Sequence, residues 1–191
     1  MEGDEELVSR IRQGEIEAFE ALYNKYRLRL YRAALAITCD RGTAEEILQD
    51  AFVRAYVALD RVDASASLSP WLHRIVVNLS HNWTKRKRRY PVPLEEVLAC
   101  LVESGPACPE DAAEGSELRQ IIRDALASLT FKRRVVIVLY YLQGFSMQEI
   151  AYILGCPVGT VKSRLHYASK ALRAKLSEYR RLREVVAYAA S

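Results

Sequence analysis

The side chains in this chain best suited to chemistry are basic and amide groups in helical register. Between Pro70 and Arg89, the residues Arg74, Asn78, His81, Asn82, Lys85 and Arg86 fall at three- and four-residue steps. That spacing collects them on one stripe of a helix. The stripe runs into Lys85-Arg86-Lys87-Arg88-Arg89, five positive charges in five residues. Asparagine can hydrogen-bond base edges, arginine and lysine neutralise phosphates, and Trp71 or Trp83 can stack on an unstacked base. This is the chemistry of nucleic-acid recognition, and its strength should fall steeply with salt. The plainer alternative is a solvated basic helix end.

A second set lies in residues 146–174, SMQEIAYILGCPVGTVKSRLHYASKALRA. Ser146 and Glu149 have capping-box spacing, and Ile150, Ala151, Ile153 and Leu154 then supply an apolar helical face. Gly155 suits a left-handed helix stop, and Pro157 suits the first turn of the next helix. In that helix Val161, Leu165, Ala168 and Leu172 point inward. Thr160, Lys162, Ser163, Arg164, His166, Tyr167 and Lys170 are left outside. A short helix, a tight turn and a basic second helix is the helix-turn-helix plan for the major groove. An ordinary helical hairpin with a basic face is the competing reading.

Bond-making chemistry has no comparable constellation. The three histidines, His73, His81 and His166, have no carboxylate or cysteine partners at useful spacing, and no cofactor or metal is expected. The four cysteines lack CxxC spacing, so reduced and inert thiols are expected; a redox or zinc role for Cys100 and Cys108 is the lesser option. The chain is therefore not expected to be an enzyme.

The elements that must position these groups read as helices throughout. Half of the 191 residues are apolar and only eight are glycine. A short helix is expected over Asp4–Gln13 and a long amphipathic one from Ile16 to about Thr38, with an aromatic stripe read as core. After a turn at Asp40-Arg41-Gly42, a capping box of Thr43 and Glu46 predicts a helix from Ala44 to about Leu59. Its polar side carries Glu45, Gln49, Asp50, Arg54 and Asp60. A small-residue loop, Arg61–Ser69, leads to the helix begun by Pro70. Ser116–Ser128 reads as a helix with Leu118, Ile121, Ile122, Ala125 and Leu126 inward. Phe131–Leu142 is β-branched, yet its place between helices predicts a buried helix with Val135, Val136, Val138, Leu139 and Leu142 inside.

Charge divides the chain in three. Residues 1–90 hold 15 basic and 13 acidic side chains, residues 91–118 none and seven, and residues 119–191 hold 13 and four. Segment charges of +2, −7 and +9 make up the net +4. The fold class expected is all-α: two small helical domains, 1–90 and 116–176, joined by an acidic linker at 91–115, with a tail at 177–191 of unassigned role. Nucleic acid would repel such a tether and attract its flanks. No apolar run approaches the roughly 20 residues of a membrane span. The acidic, polar start MEGDEELVSR does not look like a signal peptide, so a cytoplasmic location without membrane insertion is expected.

Three segments in order, AEEILQDAFVRAYVALDRV (44–62), SPWLHRIVVNLSHNWTKRKRR (69–89) and FSMQEIAYILGCPVGTVKSRLHYASKALR (145–173), resemble bacterial RNA polymerase sigma factors of the extracytoplasmic-function (ECF) type of the sigma-70 family. The third alone is shared with response-regulator output domains; the ordered set is far more specific. The resemblance covers about Asp4 to Leu176 and implies a region 2 and a region 4 domain. It implies that Glu45, Gln49, Asp50 and Arg54 contact the β′ clamp of core polymerase, and that region 4 meets the β flap. Trp71, Arg74, Asn78, Asn82, Lys85 and Arg86, with the Arg61–Ser69 loop, would capture the promoter −10 element. Lys162, Ser163, Arg164, His166 and Tyr167 would read the −35 element. An anti-sigma factor is a further partner that the family implies. Asn82 stands where many members carry an acid, Tyr167 where many carry an arginine, and Thr130-Phe131 where a double proline is frequent. The rival function is a stand-alone helix-turn-helix regulator, and a third is a protein that sequesters a partner through its helical faces. Neither calls for both the Trp71–Arg89 helix and an acidic tether.

Overall fold

The computed structural model describes residues 3–62, 67–89 and 113–189, and every regular element among them is helical. In order these are α1 (Asp4–Arg12), α2 (Ile16–Thr38), α3 (Arg41–Ala58), a 3-10 turn (Leu59–Arg61) and α4 (Leu68–Arg89). Next come α5 (Ala113–Ala127), α6 (Phe131–Ile137) with a π turn (Val138–Leu142), α7 (Met147–Leu154) and α8 (Val158–Ala189). Most of the acidic segment, with Cys100 and Cys108, lies outside the described residues. The end of the expected linker, 113–115, belongs to α5, and most of the expected tail continues α8 as helix.

The first module packs α1–α4 around Leu7, Val8, Leu22, Tyr26, Leu30, Ile47, Phe52, Leu59, Leu68, Leu72 and Val76. Each fully buried leucine removes enough apolar surface from water to contribute about 2 kcal/mol. Two starts differ from expectation. Helix α3 begins at Arg41 because Asp40 is its N-cap, accepting from the Thr43 N–H at 2.7 Å. Thr43 is buried one turn inside and is not the cap. Helix α4 begins at Leu68, ahead of Pro70, with the Ser67 hydroxyl accepting from the Ser69 N–H at 3.4 Å.

The second module packs α5–α8 around Val135, Val136, Ile137, Val138, Leu139, Ile150, Ile153, Val161, Leu165 and Ala168. The β-branched segment is helical, as tertiary packing demands, but it ends in a π turn in which the Gln143 N–H reaches back five residues to the Val138 carbonyl. The wider turn shifts the helical register of the residues at its end. Leu142, expected inside, is therefore 53% exposed, and Gln143 is buried in its stead. In α5, Ala125 is buried, whereas Ile122, also expected inside, is exposed.

Ala33 and Ile37 of α2 and Val77 of α4 belong to the second module's core, so the two modules share apolar surface.

Candidate nucleic-acid interface

Helix α4 has two buried faces. Leu68, Leu72, Val76 and Leu79 enter the first core, while Val77 enters the second and His73 is fully buried against Phe145, rings 4.7 Å apart. What remains exposed is the stripe Arg74, Asn78, Asn82, Lys85 and Arg86, with Trp71 half-buried beside it. The structure thus brings together the six residues expected to meet the −10 element. His81, placed on that stripe by spacing, instead turns half-buried toward Phe131 of α6, rings 5.2 Å apart. Burial, then the positive charges of Lys85 and Lys132, lower its pKa.

The helix-turn-helix forms as its local chemistry requires. Ser146 accepts from the Glu149 N–H at 3.2 Å while Glu149 accepts from the Ser146 N–H at 2.8 Å, and Gly155 closes α7 at φ 59° in the left-handed region. On α8, Lys162, Ser163, His166 and Tyr167 are exposed. Arg164 is not with them: it is half-buried, donating to Cys156 Sγ at 3.8 Å. Lys162 and His166 line a groove of about 540 Å³ with Ser169, Lys170, Arg173, Leu165, Met147 and Tyr141. Ser169 and Arg173 lie three and seven residues beyond His166, a helical continuation that spacing could have found. Tyr141 comes from the π turn, and nothing local announces it.

On α3, Glu45, Gln49, Asp50 and Arg54 are all exposed, and Arg41 pairs with Glu45 at 3.4 Å. Sequence reasoning missed the apolar groups among them. Val53, Tyr56 and Val57 are 65%, 55% and 74% exposed, and the Tyr56 ring rests edge-on against Phe19 at 4.9 Å. Their signal was available, since three apolar residues stand out of register with Ile47, Ala51 and Ala55.

A polar seam joins the modules. The Arg29 guanidinium donates to the amide oxygen and the backbone carbonyl of Gln143, at 3.2 Å and 2.5 Å. Gln143 in turn meets His73 Nε2 at 3.2 Å, and His73 Nδ1 meets the Ser69 carbonyl at 2.7 Å. A carbonyl only accepts, so Nδ1 carries the ring proton and Nε2 is the acceptor of a neutral imidazole. A half-turn of the Gln143 amide would present its NH2 to Nε2, with Arg29 still held by the backbone carbonyl. Burial, aided by the charge of Arg29, lowers the His73 pKa to about 4 against the hydrogen bonds that favour protonation. Arg134 of α6 donates to the Ile37 carbonyl at 2.8 Å and to Cys39 Sγ at 3.5 Å. Cys39 is the left-handed C-cap of α2, its thiol pKa raised by burial. Across the seam, the Arg74 guanidinium lies 5.4 Å from the Tyr152 ring centroid. Among the described residues no cluster of histidine, cysteine or carboxylate side chains could hold a metal ion, and no helix is long and apolar enough to cross a membrane.

Comparison with known proteins coincides with these two modules. Residues 22–90 match the family model of sigma-70 region 2, and residues 119–172 match that of sigma-70 region 4. The chain is 34% identical over 179 residues to the ECF RNA polymerase sigma factor SigW of Bacillus subtilis, covering 90% of this chain and 95% of that one. It is 34% identical over 180 residues to the ECF RNA polymerase sigma-E factor of Escherichia coli K12, covering 91% and 94%. Among solved structures, CnrH in complex with the cytosolic domain of CnrY superimposes with a TM-score of 0.69 at 26% identity, over 93% of this chain and 99% of that one. RpoE in complex with the anti-sigma factor NepR, from Bartonella quintana, gives 0.66 at 26% identity, over 85% and 98%.

Proposed function

Because this chain belongs to the ECF sigma factors of the sigma-70 family, we propose a division of labour among its exposed faces in directing transcription initiation. The α3 face of Glu45, Gln49, Asp50 and Arg54, centred on Val53 and Val57, docks on the β′ clamp of core RNA polymerase. The α4 stripe captures the −10 element, with Asn78 and Asn82 beside bases, Arg74, Lys85 and Arg86 on phosphates, and Trp71 near the unpaired strand. Lys162, Ser163, His166 and Tyr167, extended by Lys170 and Arg173, read the −35 element, while Arg164 braces the turn between α7 and α8.

The observation that carries this reading is the amide-and-arginine stripe left on α4 after its other two faces are buried. A helix kept that polar on its one free side presents groups matched to base edges and phosphates. The mechanism is binding rather than bond-making. Unpairing bases costs several kcal/mol, and capture of a flipped base offsets part of it.

The seam bears on how this works. Elements named for positions about 25 base pairs apart lie on the order of 80 Å apart on straight B-DNA. Helices α4 and α7 touch, with Arg74 over Tyr152. The modules must therefore part before both elements can be held, and the 91–112 segment is the tether that permits it. An anti-sigma partner and a cytoplasmic location are part of the same proposal; the solved relatives CnrH and RpoE are each held by a protein partner.

The test is transcription in vitro with core enzyme on a genomic library, with start sites mapped. Specific starts that depend on this chain, and that weaken when Asn78 or Lys162 becomes alanine, are expected. Sequence-specific gel shifts by the free protein, with no stable complex with core enzyme, would sink the reading.

A further inference from the structure

Lys132, Arg133 and Arg134 follow one another in the first turn of α6, and the fold turns them three ways. Lys132 stands near His81 of α4, where its charge helps to lower the histidine pKa. Arg134 turns inward, donating to the Ile37, Ala127 and Leu129 carbonyls at 2.8 Å, 2.9 Å and 3.0 Å. Successive side chains on a helix diverge by about 100°. Arg133 joins neither neighbour: it is exposed, and its guanidinium carbon lies 6.0 Å from the ring centroid of Tyr167 on α8.

Nothing in α6 itself accounts for a cation at this position. The first turn of the helix carries no acid, and the N-cap, Thr130, makes no side-chain bond to the backbone. A positive charge there meets the positive end of the helix dipole, which disfavours it. Arg133 takes part in no ion pair among the described residues. What it meets is the Tyr167 ring, whose quadrupole attracts a cation. A guanidinium stacked by its flat side keeps its N–H donors for another ligand.

The ring is itself positioned. It meets the His166 ring edge-on, centroids 5.4 Å apart with planes at 79°, yet remains exposed. Tyr167 lies nine residues beyond Val158, the first residue of α8. At about 1.5 Å per residue that is about 14 Å along the helix. The major groove is about 12 Å wide. A straight helix whose first turns reach base edges has by then met the groove wall, which is the sugar-phosphate strand.

We propose that Arg133 and Tyr167 form a composite phosphate site at the edge of the −35 surface, in which the Tyr167 ring is the platform and the Arg133 guanidinium neutralises a backbone phosphate. The inference rests on the reading of the exposed α8 face as the −35 surface, and it adds to that face a cation from another helix. Such a contact fixes the register of α8 in the groove without itself reading sequence. Tyr167 then acts through Arg133, as a positioning residue.

The test uses holoenzyme assembled from core polymerase and the full chain. It is titrated over a range of salt with a short −35 duplex from a mapped promoter, and with a scrambled duplex of equal length. Arg133→Ala is expected to weaken both by the same factor, roughly three- to tenfold, and to lower the salt slope of log K by about one. Arg133→Lys should restore the slope, since an ammonium also neutralises a phosphate. The loss caused by Arg133→Ala should persist in a Tyr167→Phe background, which keeps the ring, and shrink in a Tyr167→Leu background, which does not. Tyr167→Arg brings a guanidinium to the same edge from α8, so combining it with Arg133→Ala should recover affinity and slope. Affinity for core polymerase should be unchanged and Tm should not fall, because Arg133 is exposed and opposes the α6 dipole.

Lys162→Ala in the same assay separates the two ideas. If it weakens duplex binding and Arg133→Ala does not, the composite site is wrong. If neither weakens it, the reading of α8 as the −35 surface is wrong and the site falls with it. A loss confined to the promoter duplex would make Arg133 a base contact, and equal losses in the Phe and Leu backgrounds would free it from Tyr167. Either result overturns the inference. So would a lowered Tm with weakened polymerase binding, which would show a merely structural role.

Discussion

Gln143 and His73, 70 residues apart in sequence, meet 3.2 Å apart in the seam between the two modules. Gln143 is there because the π turn before it rotates Leu142 outward, and His73 because α4 turns a second face to the other core. The pair makes the closed arrangement sensitive to protonation. The His73 pKa is lowered from 6.5 to about 4, so between those values the unfolded or opened chain binds more protons than the closed one. Stability should be full above pH 6.5 and fall as pH drops toward 4, by up to about 3 kcal/mol. Denaturant midpoints against pH, compared with those of His73→Gln, check this; the difference between the two proteins should vanish in slope outside that window.

Gln143→Ala removes the side-chain bridge: His73 Nε2 loses its partner, while Arg29 keeps the backbone carbonyl of residue 143. Loss of one partner of a buried hydrogen bond costs about 1–3 kcal/mol. The modules should part more readily, which small-angle scattering of the free protein would register as a larger radius of gyration. Binding of free protein to a −35 duplex should strengthen in parallel.

Lys162→Ala should weaken holoenzyme binding to a −35 duplex and lower the salt slope of log K by about one if Lys162 contacts a phosphate. A weaker affinity with an unchanged slope would move Lys162 from backbone to base contact. Titrations from low to moderate salt distinguish the two.

Val57→Glu tests the exposed apolar cluster of α3. A surface change away from caps and core alters stability by about 0.5 kcal/mol or less. Affinity for core polymerase should nevertheless fall tenfold or more, since a charge would enter the centre of a desolvated interface. Fluorescence titration with core enzyme and a thermal melt together decide it.

Much of the fold was legible because helices announce themselves locally. The periodicity of α2, the capping box of α7 and the glycine stop at Gly155 are read from neighbours a few residues apart, and the physics that sets them is equally local. The α3 start was misjudged by three residues because Asp40 and Thr43 are both good caps. Only packing, which buries Thr43, decides between them. The candidate interface was legible to the same depth: the α4 stripe and the outward set of α8 follow from 3.6-residue geometry. His81 and Arg164 escaped because their faces are decided by Phe131 and Cys156, and the first of these belongs to another module.

The amino-acid order by itself determined an all-helical chain, two basic or mixed segments about an acidic one, and the residues free to meet nucleic acid, since each depends on composition or short-range spacing. The tertiary structure decided which of those residues share a surface. It turned α4 into a helix with two buried faces and drew Arg29, His73 and Gln143 into one seam. It also set Arg133 of α6 beside Tyr167 of α8. These are pairings across tens of residues, and only burial of apolar surface in three dimensions selects among the many that sequence allows.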